Sequence, residues 1–255
     1  MERIWSNDEP DDHHMRLPGA RSVVTGDALI TKENLAQVIK LQGRLCLYGE
    51  AGVGKTFLTR GVLRELAPVS TFWVRFRAHP YLRDIREALF ESLGMAGPVP
   101  RRAGQFDRLI LQQLRGEFRV LVCDEAQWLS AECFELWRFL WDDRETKIVL
   151  VFVGGHNCYK VLRSKPMLAS RVTIWQELQR LSREEVATVI SAFHPVWAQV
   201  DPADLAFVDT RAAHGNFRMW VTITCLAVEA LTLFDQPRVD RKVLEWVFSK
   251  LGGSP

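Results

Sequence analysis

The chain has 255 residues, 47% of them hydrophobic and 25% charged, and its 33 Lys plus Arg against 31 Asp plus Glu leave a net charge of +2. That length suits one large domain or a core domain with a smaller companion, and the composition is that of an ordinary soluble globular protein. Wholesale disorder, collagen-like repeats, coiled coil and a globally basic histone-like binder are excluded, while a local basic face is not.

The five cysteines (Cys46, Cys123, Cys133, Cys158 and Cys225) are odd in number and widely spaced, with no CxxC. Reduced core thiols are expected, not a disulfide framework or a zinc site. No apolar run reaches the roughly 18 residues of a membrane span, and the acidic, polar start does not read as a signal peptide. The expectation is a cytoplasmic protein with no membrane partner.

Residues 1–18 hold Asp8, Glu9, Asp11 and Asp12 beside Pro10 and the pair His13-His14, with little apolar periodicity. They read as a mobile acidic tail, in which Trp5 is an isolated aromatic and the histidines a solvated pair. Residues 19–180 then alternate short apolar runs with helical spacing. The runs are Leu45–Tyr48, Thr71–Phe76, Val120–Cys123, Ile148–Val153 and Val172–Trp175. Continuous β-branched runs of this kind predict strands buried on both faces. The helical spacing of Leu82, Ile85, Leu89 and Leu93, and of Phe134, Trp137, Leu140 and Trp141, completes βαβ units around a five-stranded parallel sheet. Residues 181–255 lack strand-like runs. Ser182-Arg183-Glu184-Glu185 opens a helix with a capping box, and further helices are predicted over 202–213, 217–234 and 240–251, giving a small all-helical domain.

The decisive motif is Gly49-Glu50-Ala51-Gly52-Val53-Gly54-Lys55-Thr56, which meets GxxxxGK[ST] at every fixed position. It follows a predicted strand and leads through Phe57 into a helix, as a phosphate loop must. Its glycines let backbone N–H groups wrap phosphates, and the helix N-terminus adds a favourable dipole. Lys55 is suited to the β- and γ-phosphates of ATP and the Thr56 hydroxyl to Mg²⁺. Val120–Cys123 ends in Asp124-Glu125. Two acids at the end of a buried strand suit a water-mediated hold on Mg²⁺ by Asp124 and a general base in Glu125. Hydrolysis is therefore favoured over binding alone.

Two arginines extend the set. Arg171 closes a helical stretch just before the run Val172–Trp175, the place from which an arginine reaches a neighbouring subunit's nucleotide in oligomeric ATPases. Arg218, in Gly215-Asn216-Phe217-Arg218 at a helix start, is placed to sense the γ-phosphate and close a helical lid.

In this order the parts resemble an AAA+ ATPase: an αβα phosphate-loop core over about residues 20–180, followed by a helical lid to about 250. Asp124-Glu125-Ala126-Gln127-Trp128-Leu129 looks like the DEAQ or DEAD strand end of transposition ATPases of the TniB, TnsC and MuB type. Val151–His156 with Val161-Leu162 and Leu168–Val172 is similar to that family's pattern, and the Gly215–Arg218 signature is shared with origin-recognition ATPases and helicase loaders. The resemblance implies ATP-dependent rings or helical filaments on double-stranded DNA that recruit or activate a DDE-type transposase. That family has a polar γ-phosphate sensor directly after the glycine ending the fourth strand. Here the position is Gly155, leaving His156 or Asn157 to take its place.

The segment from Arg75 to Arg102 holds six arginines against Asp84, Glu87 and Glu91. Arginines interleaved with Phe76, His79 and Tyr81 suit phosphate contact and base stacking, although arginine stems on a solvated helix face have the same pattern. Arg77 and Arg83, then Arg101 and Arg102, are the expected DNA contacts. Trp73, Trp128, Trp137, Trp141, Trp175, Trp220 and Trp246 sit among apolar neighbours and are expected in cores or interfaces. The alternative function is a helicase-loader or replication-initiator ATPase. A signalling NTPase is disfavoured, because such proteins append a sensor or effector domain that 255 residues are not expected to hold.

Overall fold

A computed structural model describes residues 14–252; Trp5, His13 and the acidic run at 8–12 lie outside the described residues. By contact the chain separates into two compact units. One comprises Ile30–Glu50 and Val62–Leu178; the other joins 14–29 and 179–252 to the short piece Ala51–Gly61.

The first unit is built on five strands: β1 (Arg44–Gly49), β2 (Thr71–Val74), β3 (Phe118–Cys123), β4 (Lys147–Gly154) and β5 (Ile174–Leu178). All four pairings are parallel and the order is β2-β3-β4-β1-β5. The apolar runs in the sequence are these strands because each is covered on both faces. Val120, Leu121 and Val122 in β3, and Val149, Val151 and Val153 in β4, have no exposed surface. The last strand begins two residues later than its predicted run and extends to Leu178, with Val172 in the turn before it.

Around the sheet lie α2 (Lys55–Leu66, shared in sequence by both units), α3 (Leu82–Ser92), α4 (Ala103–Leu114), α5 (Ala131–Asp142), α6 (His156–Arg163) and the single turn α7 (Pro166–Ala169). Before the sheet runs α1 (Gly26–Leu41), a helix whose apolar spacing is too weak to announce it in the sequence. Buried Gln176 of β5 bonds Thr31 at 2.8 Å and Asn34 at 2.9 Å, tying α1 to the edge strand. Phe134 and Trp137 of α5 pack edge-on against Phe152 of β4, at centroid distances of 5.1 and 6.2 Å.

The second unit carries α8 (Arg183–Phe193), α9 (Pro202–Val208), α10 (Phe217–Phe234) and α11 (Arg241–Lys250). The capping box is present at its entry: Ser182 Oγ accepts from the Glu185 N–H, and Glu185 accepts from the Ser182 N–H. The predicted helix over 202–213 stops at Val208 and continues as a π turn from Asp209 to Ala213. Trp197 and Trp220 stand edge-on at 5.6 Å in this unit's core, and the indole N–H of Trp197 donates to Thr224 at 2.8 Å. Trp128, expected in a core or an interface, is 39% exposed and so lies outside the core of the first unit.

Two expectations change here. The tail expected over 1–18 ends too late, since Leu17 is buried in this core and the Pro18 carbonyl lies 2.9 Å from His194 Nε2. A helix long and apolar enough to cross a membrane does exist, namely α10 with 18 residues. Its apolar excess has a local cause: Trp220, Val221, Ile223, Ala227 and Ala230 form the face buried in the helical unit's core.

Candidate active site

In the helical unit, the phosphate loop is bonded to the Gly215–Arg218 turn. Asn216 Nδ2 donates to the Ala51 carbonyl at 2.8 Å, and the Arg218 backbone N–H donates to the Gly52 carbonyl at 3.0 Å. Gly52 has φ +86°, and a Cβ there would stand 2.3 Å from Asn216 Oδ1. The glycine is therefore needed both for its left-handed backbone and for this close approach. The loop then enters α2 at Lys55, with the Leu58 N–H bonded back to Gly54 at 2.9 Å and Thr59 Oγ1 to the Lys55 carbonyl at 2.9 Å. Lys55, Thr56 and Phe57 are half-buried on this first turn, and Glu50 and Val53 flank the glycines.

The turn that carries Arg218 is held from behind by Asp209, a residue the sequence reading missed. Its Oδ1 accepts from the Gly215 N–H at 2.7 Å and from the Trp220 indole at 3.0 Å. The Gly215 carbonyl accepts from the Leu181 N–H at 2.9 Å. Asn216 also caps α10 through the Met219 N–H at 3.2 Å. One residue thus starts the helix and contacts the loop, while exposed Arg218 lies on the first turn beside it. The only sequence signal for Asp209 was its polarity in an otherwise helical stretch.

In the sheet unit, the acids lie at the carboxyl ends of the strands. Sheet order puts β4 between β1 and β3, with Tyr48 in register with Gly154 and Cys123 with Phe152. Crevices at such a crossover are where open parallel sheets bind ligands. Half-buried Asp124 follows Cys123 and accepts from the Glu125 N–H at 2.9 Å. Glu125 is left-handed (φ 56°, ψ 30°), a conformation uncommon outside glycine. Its carboxylate accepts from Gln127 Nε2. Of the two side chains expected to replace a sensor at Gly155, Asn157 donates to the Gln127 carbonyl at 2.8 Å and His156 faces Glu177 at 3.6 Å.

Arg171 lies at the opposite edge of the same sheet. It follows α7 by two residues and precedes the amino end of β5, so in a parallel sheet it is remote from the acids. Its Nη1 donates to the Met167 carbonyl at 2.8 Å, and its Nε stands 3.6 Å from Asp142. Asp142 also pairs with Arg138 at 2.7 Å and with buried Arg44 at 3.3 Å. Burial pushes Arg44 down to about 10, against the opposing pull of Asp142. Arg171 is thus a surface member of a structural ion cluster in its own subunit.

Arg77 is exposed in the loop after β2, as are Arg101 and Arg102 at the start of α4. Arg83 is exposed on α3 and pairs with Glu87 at 2.7 Å. Arg86 is withdrawn from this face: its guanidinium grips Asp107 at 2.6 and 3.1 Å and ties α3 to α4. His79 (φ 54°) stands edge-on to Trp128 at 4.6 Å, joining the basic loop to the turn that follows the acids.

Comparison with known proteins agrees with this architecture. The family model described as AAA domain matches residues 39–162. The DNA transposition protein B of the Mu-like prophage FluMu, from Haemophilus influenzae, is 30% identical over 191 residues, 68% of this chain and 64% of that protein. The ATP-dependent target DNA activator B of Escherichia phage Mu is 35% identical over 111 residues, 44% of this chain and 34% of that one. The chain therefore spans less than two thirds of the length of these relatives. Among solved structures, Cdc6p from Pyrobaculum aerophilum superposes with a TM-score of 0.73 at 17% identity, covering 94% of this chain and 71% of that one. The ORC1 protein of Aeropyrum pernix, solved in complex with DNA, superposes at 0.67 with 18% identity, covering 89% and 66%. At such identities these two speak for the fold alone. With this sheet order, phosphate loop and acidic strand end, the chain has the fold of the AAA+ proteins, carries an AAA domain over residues 39–162, and is similar in sequence to the B proteins of Mu and Mu-like phages.

Proposed function

We propose that the chain is a Mg²⁺-dependent ATP hydrolase that assembles on double-stranded DNA, as a ring or helical filament in the cytoplasm, and selects or activates the target for a DDE-type transposase. The observation that carries the reading is the seating of the Gly215–Arg218 turn on the phosphate loop, Asn216 on Ala51 and Arg218 on Gly52. An anion gathered by the loop's N–H groups has an arginine one hydrogen bond away along the backbone, so the helical unit can respond to the γ-phosphate.

Lys55 adds a point charge, and Glu125 accepts the proton of the attacking water. The Thr56 hydroxyl and the Asp124 carboxylate are hard oxygen donors. Mg²⁺ keeps several waters and takes its remaining oxygens from phosphates, so this small donor set fits it. When bound, the ion neutralises charge developing on the phosphates. Arg171, remote from its own subunit's acids, serves a neighbouring copy, which makes hydrolysis depend on assembly. Arg77, Arg83, Arg101 and Arg102 contact the phosphate backbone without reading sequence. The relatives named for DNA transposition and for ATP-dependent target DNA activation support this choice of pathway over helicase loading.

The test is ATP turnover with and without duplex DNA, followed by electron microscopy with a non-hydrolysed ATP analogue. DNA-stimulated turnover and ordered assemblies are expected. A monomer whose turnover ignores DNA overturns the proposal.

A further inference from the structure

Gln127 stands at the acidic strand end, and both ends of its side-chain amide and its backbone carbonyl have partners. Its Oε1 accepts from the Gly155 N–H at 2.9 Å, its Nε2 donates to Glu125, and its backbone carbonyl accepts from Asn157 Nδ2 at 2.8 Å. The orientation of the amide follows from the chemistry of its neighbours. A backbone N–H can only donate and a carboxylate can only accept, so the oxygen must face Gly155 and the NH₂ must face Glu125. The end of β4 is shaped to receive it: a Cβ at Gly154 would stand 2.8 Å from both the Gln127 backbone N and Oε1. The room left by that missing side chain is where Gln127 sits.

The neighbouring candidates for holding Glu125 are committed elsewhere. Gly155 has no side chain, His156 turns toward Glu177, and Asn157 bonds the backbone of Gln127 and not the acid. Meanwhile Glu125 has a left-handed backbone and an exposed side chain, so little else sets its direction. A carboxylate left to rotate would lose most of its near-attack geometry toward a water.

We propose that Gln127 is the positioning residue of the hydrolytic site, spanning from the end of β4 to the Glu125 carboxylate and supplying from the β3 turn the polar contact that Gly155 cannot make. The inference rests on the reading of Glu125 as general base, and the experiment separates the two. ATP turnover and nucleotide affinity are measured for Gln127→Met, Glu125→Gln and the double variant, each with a thermal unfolding curve. Gln127→Met keeps the length of the side chain and removes both side-chain hydrogen bonds. It should lower kcat about 10-fold or more with little change in nucleotide affinity. In the Glu125→Gln background it should cost nothing further, because there is no longer a base to aim. A purely structural glutamine would instead lower affinity and melting temperature, with equal losses in both backgrounds.

If Gln127→Met does not fold, Gln127→Glu decides. It retains an acceptor for the Gly155 N–H but places oxygen against the Glu125 carboxylate, and it should bind nucleotide while losing turnover to the same degree. Wild-type turnover in Gln127→Met, or in Gln127→Glu where that variant decides, overturns the positioning role. Wild-type turnover in Glu125→Gln overturns the base assignment, and the positioning role with it.

Discussion

The carboxamide of Asn216 donates to the Ala51 carbonyl at 2.8 Å while its oxygen accepts from the Met219 N–H at 3.2 Å. The same side chain therefore caps α10 and clasps the phosphate loop. Asn216→Ala should cost roughly 1 kcal/mol of stability from the cap alone. Asp209→Ala should cost about 1–3 kcal/mol, because it strands the Gly215 N–H and the Trp220 indole. Both should weaken nucleotide binding several-fold by loosening the turn. Thermal unfolding and titration with a fluorescent ATP analogue check this; unchanged affinity in both variants would show that the clasp is irrelevant to the loop.

Lys55→Ala should abolish nucleotide binding, whereas Glu125→Gln should retain binding, stop turnover and hold the assembled state. The pair separates charge in the loop from proton transfer at the strand end. Equilibrium binding and single-turnover hydrolysis are the measurements. Loss of binding in Glu125→Gln would contradict the role given to the acid.

Arg171→Ala should abolish turnover without weakening ATP binding to an isolated subunit. Because the arginine acts on a neighbour, mixing Arg171→Ala with Lys55→Ala subunits should restore part of the activity that each lacks alone. The unfolding curve should change little, since Asp142 keeps Arg44 and Arg138 as partners. Activity retained by Arg171→Ala, or no rescue on mixing, refutes action in trans.

Arg77→Ala should weaken duplex binding equally across sequences and reduce the slope of log affinity against log salt by about one per subunit contact. Arg86→Ala should instead destabilise the fold through the lost Asp107 pair and leave that slope unchanged. Fluorescence anisotropy over a salt series distinguishes the two.

The thiols have their own pH signature. Hydrogen bonding to Cys158, then burial, holds Cys46 well above the ordinary value of 9.0, and burial does the same for Cys123. Burial raises the half-buried Cys225 thiol as well. On unfolding these groups regain their ordinary acidity and release protons at alkaline pH. The stability linked to them is thus complete below about pH 8.5 and declines as pH rises above it. Alkylation of the native protein should reach Cys225 first, and only at a pH above that needed for a free thiol. Peptide mass mapping after timed iodoacetamide exposure measures the order; early labelling of Cys46 would contradict the buried assignment.

Much of the architecture is legible locally. Five strand-like runs, the GxxxxGK[ST] loop, the paired acids and a strand-free final third are patterns of neighbouring residues, and burial on both faces writes a strand such as Val120–Cys123 directly into the sequence. The capping box at Ser182 and the span Phe217–Phe234 of α10 were readable for the same reason. α1 was not, because a helix that packs with weak amphipathicity carries little periodic signal. Nor was the burial of Leu17, which depends on helices nearly 200 residues further along the chain.

The sequence by itself determined the fold class, the residue types of the loop and of the acidic strand end, and the helical character of the second unit, since each follows from residue type and spacing. Only the tertiary structure decided that β4 lies between β1 and β3, that Asn216 rests on Ala51, that Gln127 bonds both Glu125 and the end of β4, and that Arg171 stands at the far edge of the sheet. These are hydrogen bonds and registers between segments 28 to 165 residues apart, and no local pattern specifies which distant partner a polar side chain will meet.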